Sequence, residues 1–389
     1  MKKLIVKLLG NEKRQSMTIP IFAILVSLVA GAVVLGLLGK NPLSAYMNLL
    51  QGSGLWPKAS YAGGKNMLTD FTSFLNALTP MLFASLAVAV ALKGGLFNIG
   101  ISGQMLCAGF VTTVVIGYSG LSSGIAKPLV LLLGIVTGAL VGGLVGWLKF
   151  KFNINEVVST IMINYIAQYV ISFCINTFYV NPVSRQSNPV SKAARLTLME
   201  TQVGDLKMDI PLGIILAVIA AFIIRFLFNK TKLGYEIKTV GSSITAARYA
   251  GISVGRNMVL TMVISGALAG LAGVTYYLGY FGSIQPKVLP STGFDAIAVS
   301  LLGNSNPIGI IFSSFLITII SKGSTYMSSA AGVEAEIASV ITGLILLFSA
   351  CSAYIAYKVK RAKSSLEEEK ILQEKEKTND RADSGKGAE

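Results

Sequence analysis

An all-α, polytopic membrane protein with about ten bilayer-crossing segments is the fold the sequence predicts, and three observations predict it. The 389-residue chain is 53% hydrophobic and only 13% charged, with a mean hydropathy of +0.66, far more apolar than a soluble domain. Uncharged runs at residues 15–39, 71–92, 128–148, 157–184 and 257–286 reach the roughly 20 residues that a helix needs to cross hydrocarbon. Basic residues gather between these runs: Lys2, Lys3, Lys7, Lys13 and Arg14 precede the first, and Lys149, Lys151, Lys230, Lys232, Lys238, Arg248 and Arg256 fall in later short loops.

Taken in order, spans are expected near residues 18–38, 74–92, 96–118, 129–148, 157–178, 211–228, 258–279, 294–303, 307–321 and 337–357. The first follows a basic stretch and is long for a signal-peptide core, so it reads as a retained anchor. The third begins behind Gly94 and Gly95, where the apolar sequence is interrupted. The fifth opens at Glu156 and carries Asn164, Gln168 and Asn176 close to one helical face. The eighth is too short to cross alone: Asp295 opens it and Gly303-Asn304-Ser305-Asn306-Pro307 breaks it. Broken backbone at membrane depth is tolerated where protein buries it or it lines a cavity, so a re-entrant helix is expected there. Interrupted segments in both halves point to a transport pathway.

A net charge of +15 raises the question of nucleic acid, but charge confined to short loops is the positive-inside pattern, and no nucleic-acid partner is expected. The pattern puts residues 1–17 and the 234–252 loop in the cytoplasm and leaves 40–70 and 181–209 outside. Residues 18–357 form the membrane domain, in contact with lipid. From Lys358 the tail carries nine Lys and Arg against eight acids, and 358–389 is expected as a cytoplasmic tail, partly disordered. Cys107, Cys174 and Cys351 lie in apolar runs and read as buried small hydrophobes, with no metal site implied. The chain has no histidine, the usual physiological proton shuttle.

Three stretches carry candidate function. In LKGGLFNIGISGQ, residues 92–104, Phe97, Asn98, Ser102 and Gln104 sit among glycines that allow close backbone approach, and amides suit the polar edges of a nucleobase or sugar. Glycine-mediated helix packing, with the amides bonded to neighbouring helices, explains the same pattern. Asn164, Asp295 and Asn304 are further pathway candidates; helix capping explains Asp295 and interhelical hydrogen bonding Asn164. In residues 234–252, Ser242 or Ser243 can cap a helix of about two turns holding Ala246, Ala247 and Arg248, closed by Gly251 in a left-handed conformation. Such a helix is either a rigid lever or a solvated connecting turn.

No G-x-x-x-x-G-K-[ST] occurs, so the chain lacks the usual ATP-phosphate cradle, and no catalytic residue is indicated. No paired intramembrane carboxylates offer a proton route, which weighs against an ion-coupled secondary transporter working alone.

Four segments, GGLFNIGISGQ, GSSITAARYAGI, SGALAGLAG and GFDAIAVSLLGNSNP, resemble in order the permease subunits of bacterial ATP-binding cassette importers, over about residues 70–357. The resemblance is to the nucleoside branch, related to ribose and branched-chain amino-acid permeases. It implies a type II importer-like permease in the bacterial plasma membrane, with both termini cytoplasmic. It implies that residues 242–252 form a coupling helix, with Ser243, Ala246, Ala247, Arg248 and Gly251 engaged at a separate ATPase subunit that holds ATP and Mg; this chain binds no cofactor. It further implies a second permease subunit, commonly a paralogue, and an extracellular substrate-binding lipoprotein that delivers nucleoside. GLFNIGISGQ stands where the sugar branch usually has an Ile-Asp pair, which favours nucleoside over ribose. A permease for a simple sugar or a branched-chain amino acid is the nearest alternative.

Overall fold

The computed structural model describes residues 15–365 except 62, 204, 205, 335, 352, 353, 355 and 356. The first fourteen residues and the tail beyond 365, and with them the expected disorder after Thr378, lie outside the described residues.

Helix α1, Gln15–Leu37, ends at Gly39, whose φ of +69° turns the chain, and α2, Pro42–Gly52, leaves at 116° to it. Asn41 caps α2 by accepting from the Leu43 and Ser44 N–H groups, and Pro42 takes the first turn, where no N–H is needed. Helix α3, Met67–Lys93, starts on a reciprocal capping box between Asn66 and Thr69. It is the axis of the bundle: 83% of its apolar window is buried, against 28–33% for α5 (Ser123–Phe152), α6 (Glu156–Cys174) and α7 (Gly213–Lys230). Those three therefore turn most of their surface outward, with Leu132, Leu140, Phe173 and Phe222 exposed as lipid-facing side chains should be.

Helices packing in lipid gain little from apolar burial and need close backbone approach. On α5, Gly134, Gly138, Gly142 and Gly146 provide it at four-residue spacing, running antiparallel to Gly266 and Gly270 of α10, Val254–Val274. A Cβ on Gly138 would stand 2.2 Å from the Gly266 carbonyl oxygen. Aromatic packing adds elsewhere: Phe74 of α3 meets Phe315 edge-on at 5.0 Å between centroids, worth about 0.5–1.5 kcal/mol.

Helix α4, Ile101–Thr112, is short and widens into a π-helical turn at Thr113–Gly117. After α7 come α8, Lys232–Ser242, and α9, Ile244–Tyr249, and then α10, which likewise widens into a π-helix over Thr275–Phe281. Helix α11, Thr292–Leu302, folds back on α12, Pro307–Ala331, and the Ser313 Oγ donates to the Val299 carbonyl at 2.8 Å across that hairpin. Helix α13, Glu336–Ala350, packs on α1, with Ile341 against Gly31.

Three expectations change. Six described helices are long and apolar enough to cross a membrane, or seven if the bent α1–α2 pair counts as one span, so about ten spans is not reached by helix length. The shortfall lies in α4, α11 and α13, apolar but short. The architecture is also not purely helical: Thr197–Val203 and Leu206–Pro211 pair as an antiparallel hairpin, β1–β2, in the expected 181–209 loop. The Thr197 hydroxyl donates to Asn76 Oδ1 at 3.1 Å and ties the hairpin to α3. The cysteines are less buried than expected, Cys107 and Cys174 partly and Cys351 exposed.

Candidate functional site

The break between α3 and α4 is held by a closed set of buried polar side chains. Gly94 and Gly95 end α3; Gly95 takes a φ of +71°, and a Cβ there would meet Gly241 of α8 at 2.8 Å. Three residues on, the Asn98 amide donates to Gln104 Oε1 at 3.1 Å and to Ser265 Oγ of α10 at 2.9 Å. Its Oδ1 accepts from the Gly100 N–H at 3.0 Å and from Gln104 Nε2 at 3.3 Å. Asn164 of α6 accepts from the Gly103 N–H at 2.7 Å and donates to the Ile99 carbonyl at 3.1 Å. Ser102 Oγ donates to the Pro290 carbonyl at 2.9 Å, just before α11. The structure thus brings together Asn98, Ser102, Gln104 and Asn164, all buried and all bonded to protein, with Phe97 half-buried beside them. In a low-dielectric interior, satisfied amides fix an unwound backbone that would otherwise leave N–H and C=O groups unpaired.

Asp295 and Asn304 stand apart from this set. Ser291, not Asp295, occupies the cap position of α11, and Asp295 lies in the first turn, its N–H bonded to the Ser291 carbonyl at 2.9 Å. Asn304 is exposed in the α11–α12 turn, where it and Ser305 take left-handed φ values of +53° and +49°. That break is an exposed turn, and Asn306 caps α12 by accepting from the Ile308 N–H at 3.1 Å.

The second element is α9. Ser243 Oγ accepts from the Ala246 N–H at 3.2 Å, and Gly251 closes the turn at φ +73°. Ala247 is fully buried against the chain, whereas Ile244, Thr245, Ala246, Arg248 and Tyr249 face outward, Tyr249 with 90% of its surface exposed. Within an apolar protein this is a short, rigid, exposed helix pinned by one alanine. Its base, α8, touches the break directly: a Cβ on Gly241 would lie 2.3 Å from the Lys93 carbonyl oxygen. Glu236 of α8 accepts from the buried Asn257 amide of α10 at 3.0 Å, so α8 is bonded to α10 as well as packed closely on the break.

A third element was not foreseen. The π-helical end of α10 clusters Tyr276, Tyr277, Tyr280 and Phe281, and all of these but Tyr280 line a cavity of about 410 Å³ including its mouth, completed by Gln186, Ser283, Gln285, Val288 and Pro290. Arg195 backs this wall, donating to the Gly279 carbonyl at 2.9 Å. Burial lowers the Arg195 pKa, and the charge of Asp209 acts in the opposite sense. The sequence signal was the aromatic run 276–281, which by itself reads as an interfacial aromatic belt.

The structure thus joins an unwound, amide-clamped break to a short exposed helix within a membrane bundle. Comparison with known proteins identifies the family. The model of a family described as "branched-chain amino acid transport system / permease component" matches residues 71–350, and the chain belongs to that family. It is 33% identical over 364 residues to the nucleoside ABC transporter permease protein NupB of Lactococcus lactis subsp. cremoris (strain MG1363), covering 91% of this chain and 96% of that one. It is also 33% identical over 349 residues to the guanosine ABC transporter permease protein NupP of Bacillus subtilis (strain 168), covering 89% and 96%. The glucose ABC transporter permease protein TsgB13 of Haloferax volcanii is 29% identical over 344 residues, covering 86% and 87%. The chain is a multi-pass membrane protein.

Proposed function

We propose that this chain is the membrane-spanning permease subunit of an ATP-driven nucleoside importer, forming the translocation pathway while a separate ATPase subunit hydrolyses ATP with Mg. The observation that carries the substrate is identity of one third to two nucleoside permeases over about nine tenths of the chain. Support for ATP coupling comes from α9, exposed on every side but Ala247, whose outward residues Arg248 and Tyr249 are of the arginine and aromatic type that anchors protein interfaces. In this reading Ser243 and Gly251 shape the coupling helix, Ala246 and Arg248 face the ATPase, and Ala247 fastens the helix to its own chain.

Ten passes are proposed. The six long helices and α1 make seven, α13 another, and two are composite: residues 94–100 continue into α4, and residues 282–291 into α11. An even count puts both termini on one side. The basic ends of α5, α7 and α8, with Arg248 and Arg256, make that side cytoplasmic. A second permease, of this chain or a paralogue, completes the pathway, and an extracellular binding lipoprotein delivers substrate. The clamped break, with Phe97, Asn98, Ser102, Gln104 and Asn164, transmits α8–α9 motion to the pathway wall; Asp295 and Asn304 line its α11 side.

The test is uptake of radiolabelled guanosine, uridine, glucose and leucine by cells deficient in their own uptake that express the complete transporter. Nucleoside uptake that needs the ATPase subunit is expected. Uptake of glucose or leucine but no nucleoside would sink the substrate assignment, and transport by the purified chain alone in liposomes would sink the ATPase coupling.

A further inference from the structure

We propose that the cavity beside the π-helical end of α10 is a nucleobase-binding station within the permease itself, rather than a passive stretch of the route. The inference rests on the nucleoside reading above and names the residues that would contact the base.

Its chemistry is specific. No lining side chain is ionised: Gln186, Tyr276, Tyr277, Phe281, Ser283, Gln285, Val288 and Pro290 are aromatic, apolar, hydroxyl or amide. A neutral lining accepts an uncharged ligand and rejects a phosphorylated one, which would leave its charge unpaired. Phe281, 54% exposed, and Tyr276 lie 4.8 Å apart between ring centroids, offering faces on which a planar heterocycle can stack. The Ser283 hydroxyl donates to Gln186 Oε1 at 2.6 Å, which commits the amide oxygen and leaves the Nε2 donors for a ligand acceptor. Gln285 is exposed and supplies a second amide that can both donate and accept.

Two features set this cavity apart from an incidental cleft. Its aromatic wall is a seven-residue π-helix, a rare conformation that recurs at functional sites because it re-aims side chains a regular helix would spread out. Its floor is also joined to the lever: the carbonyl of Pro290 holds Ser102, the first turn of α4 follows the 94–100 break, and Gly95 abuts Gly241 at the base of α9. Movement of α9 therefore has a contiguous path to the base-binding wall.

The test uses the complete transporter in proteoliposomes, with the binding protein saturated in turn by guanosine, adenosine, uridine and cytidine so that rates report the membrane step. Gln285→Leu should change the order of preference among the four, lowering at least one about tenfold relative to another, because bases differ in the polar edges an amide reads. Phe281→Ala should slow all four about five- to tenfold, and Phe281→Trp should restore them. Photolabelling of the purified wild-type complex with 8-azidoadenosine should mark the 276–290 peptide, a readout that needs no variant. Wild-type nucleoside uptake with an unaltered preference order in Gln285→Leu, or labelling confined to other peptides, overturns the station and leaves the importer reading intact. Absence of nucleoside uptake by the wild type overturns both.

Discussion

Replacing Asn98 by leucine deletes an amide but leaves its partners buried, and the loss can be counted bond by bond. The Gly100 N–H loses its acceptor at 3.0 Å, and both ends of the Gln104 amide lose their partners at 3.1 and 3.3 Å. Ser265 loses the bond at 2.9 Å but still donates to the Ala87 carbonyl at 2.7 Å, so it is not orphaned. Three buried groups are left unsatisfied. At about 1–3 kcal/mol each, with partial relaxation, the cost is about 3–6 kcal/mol, a large part of the ~5–15 kcal/mol that holds a typical fold. Adding Gln104→Met removes two of the three orphans, leaving the Gly100 N–H alone. The assay is the thermal midpoint of the detergent-purified chain, followed by size exclusion, in parallel with uptake by the complete transporter. The single variant should lose roughly 10 °C and most uptake, and the double variant should regain most of both. An unchanged midpoint in Asn98→Leu would refute the bond accounting. A double variant that is stable but inactive would show instead that the Asn98 amide meets substrate directly.

Gly138→Ala should destabilise the α5–α10 seam, because its Cβ meets the Gly266 oxygen at 2.2 Å and Gly270 backbone at 2.7 Å, which cannot rotate away. The overpacking cost of about 1–3 kcal/mol exceeds the ~1 kcal/mol gained in helix propensity. Gly124→Ala on the same helix meets nothing within 4 Å and should be neutral or mildly stabilising; equal thermal midpoints for the two would contradict the close-contact account. Tyr249→Ala should leave yield and melting unchanged but cut co-purification of the ATPase subunit at least tenfold, as loss of an exposed aromatic anchor does. Ala247→Glu should lower the yield of the chain itself, because it buries a carboxylate within its own fold. With native cysteines replaced by alanine, Val183→Cys, on a residue 93% exposed, should react with an impermeant maleimide in intact cells, and Tyr249→Cys only after permeabilisation. The opposite labelling would reverse the orientation.

Much of this protein was legible in the sequence because the interactions that decide it are local. Apolar runs marked where helices lie, and the Ser243 cap and Gly251 turn bounded α9 within a residue or two, since each acts across three or four positions. The glycine interruption at 94–95 likewise announced the α3–α4 break. The partners of the polar residues were not legible. Asn98 reaches Ser265 across 167 positions, Ser102 reaches Pro290 across 188, and Asn164 reaches Gly103 across 61, so whether each amide is spent on protein or left for a ligand depends on how the helices pack. Tertiary structure also placed Ala247 on the inner face of α9, exposed Asn304, and assembled a cavity from Gln186 and the end of α10, about ninety positions apart. The β1–β2 hairpin had a faint signal in the alternation of residues 206–210, but two short strands stand only where a neighbour holds them, here Asn76 of α3. Local chemistry sets where a helix starts and stops; which of its faces meets lipid, protein or substrate is decided by contacts between residues far apart in the chain.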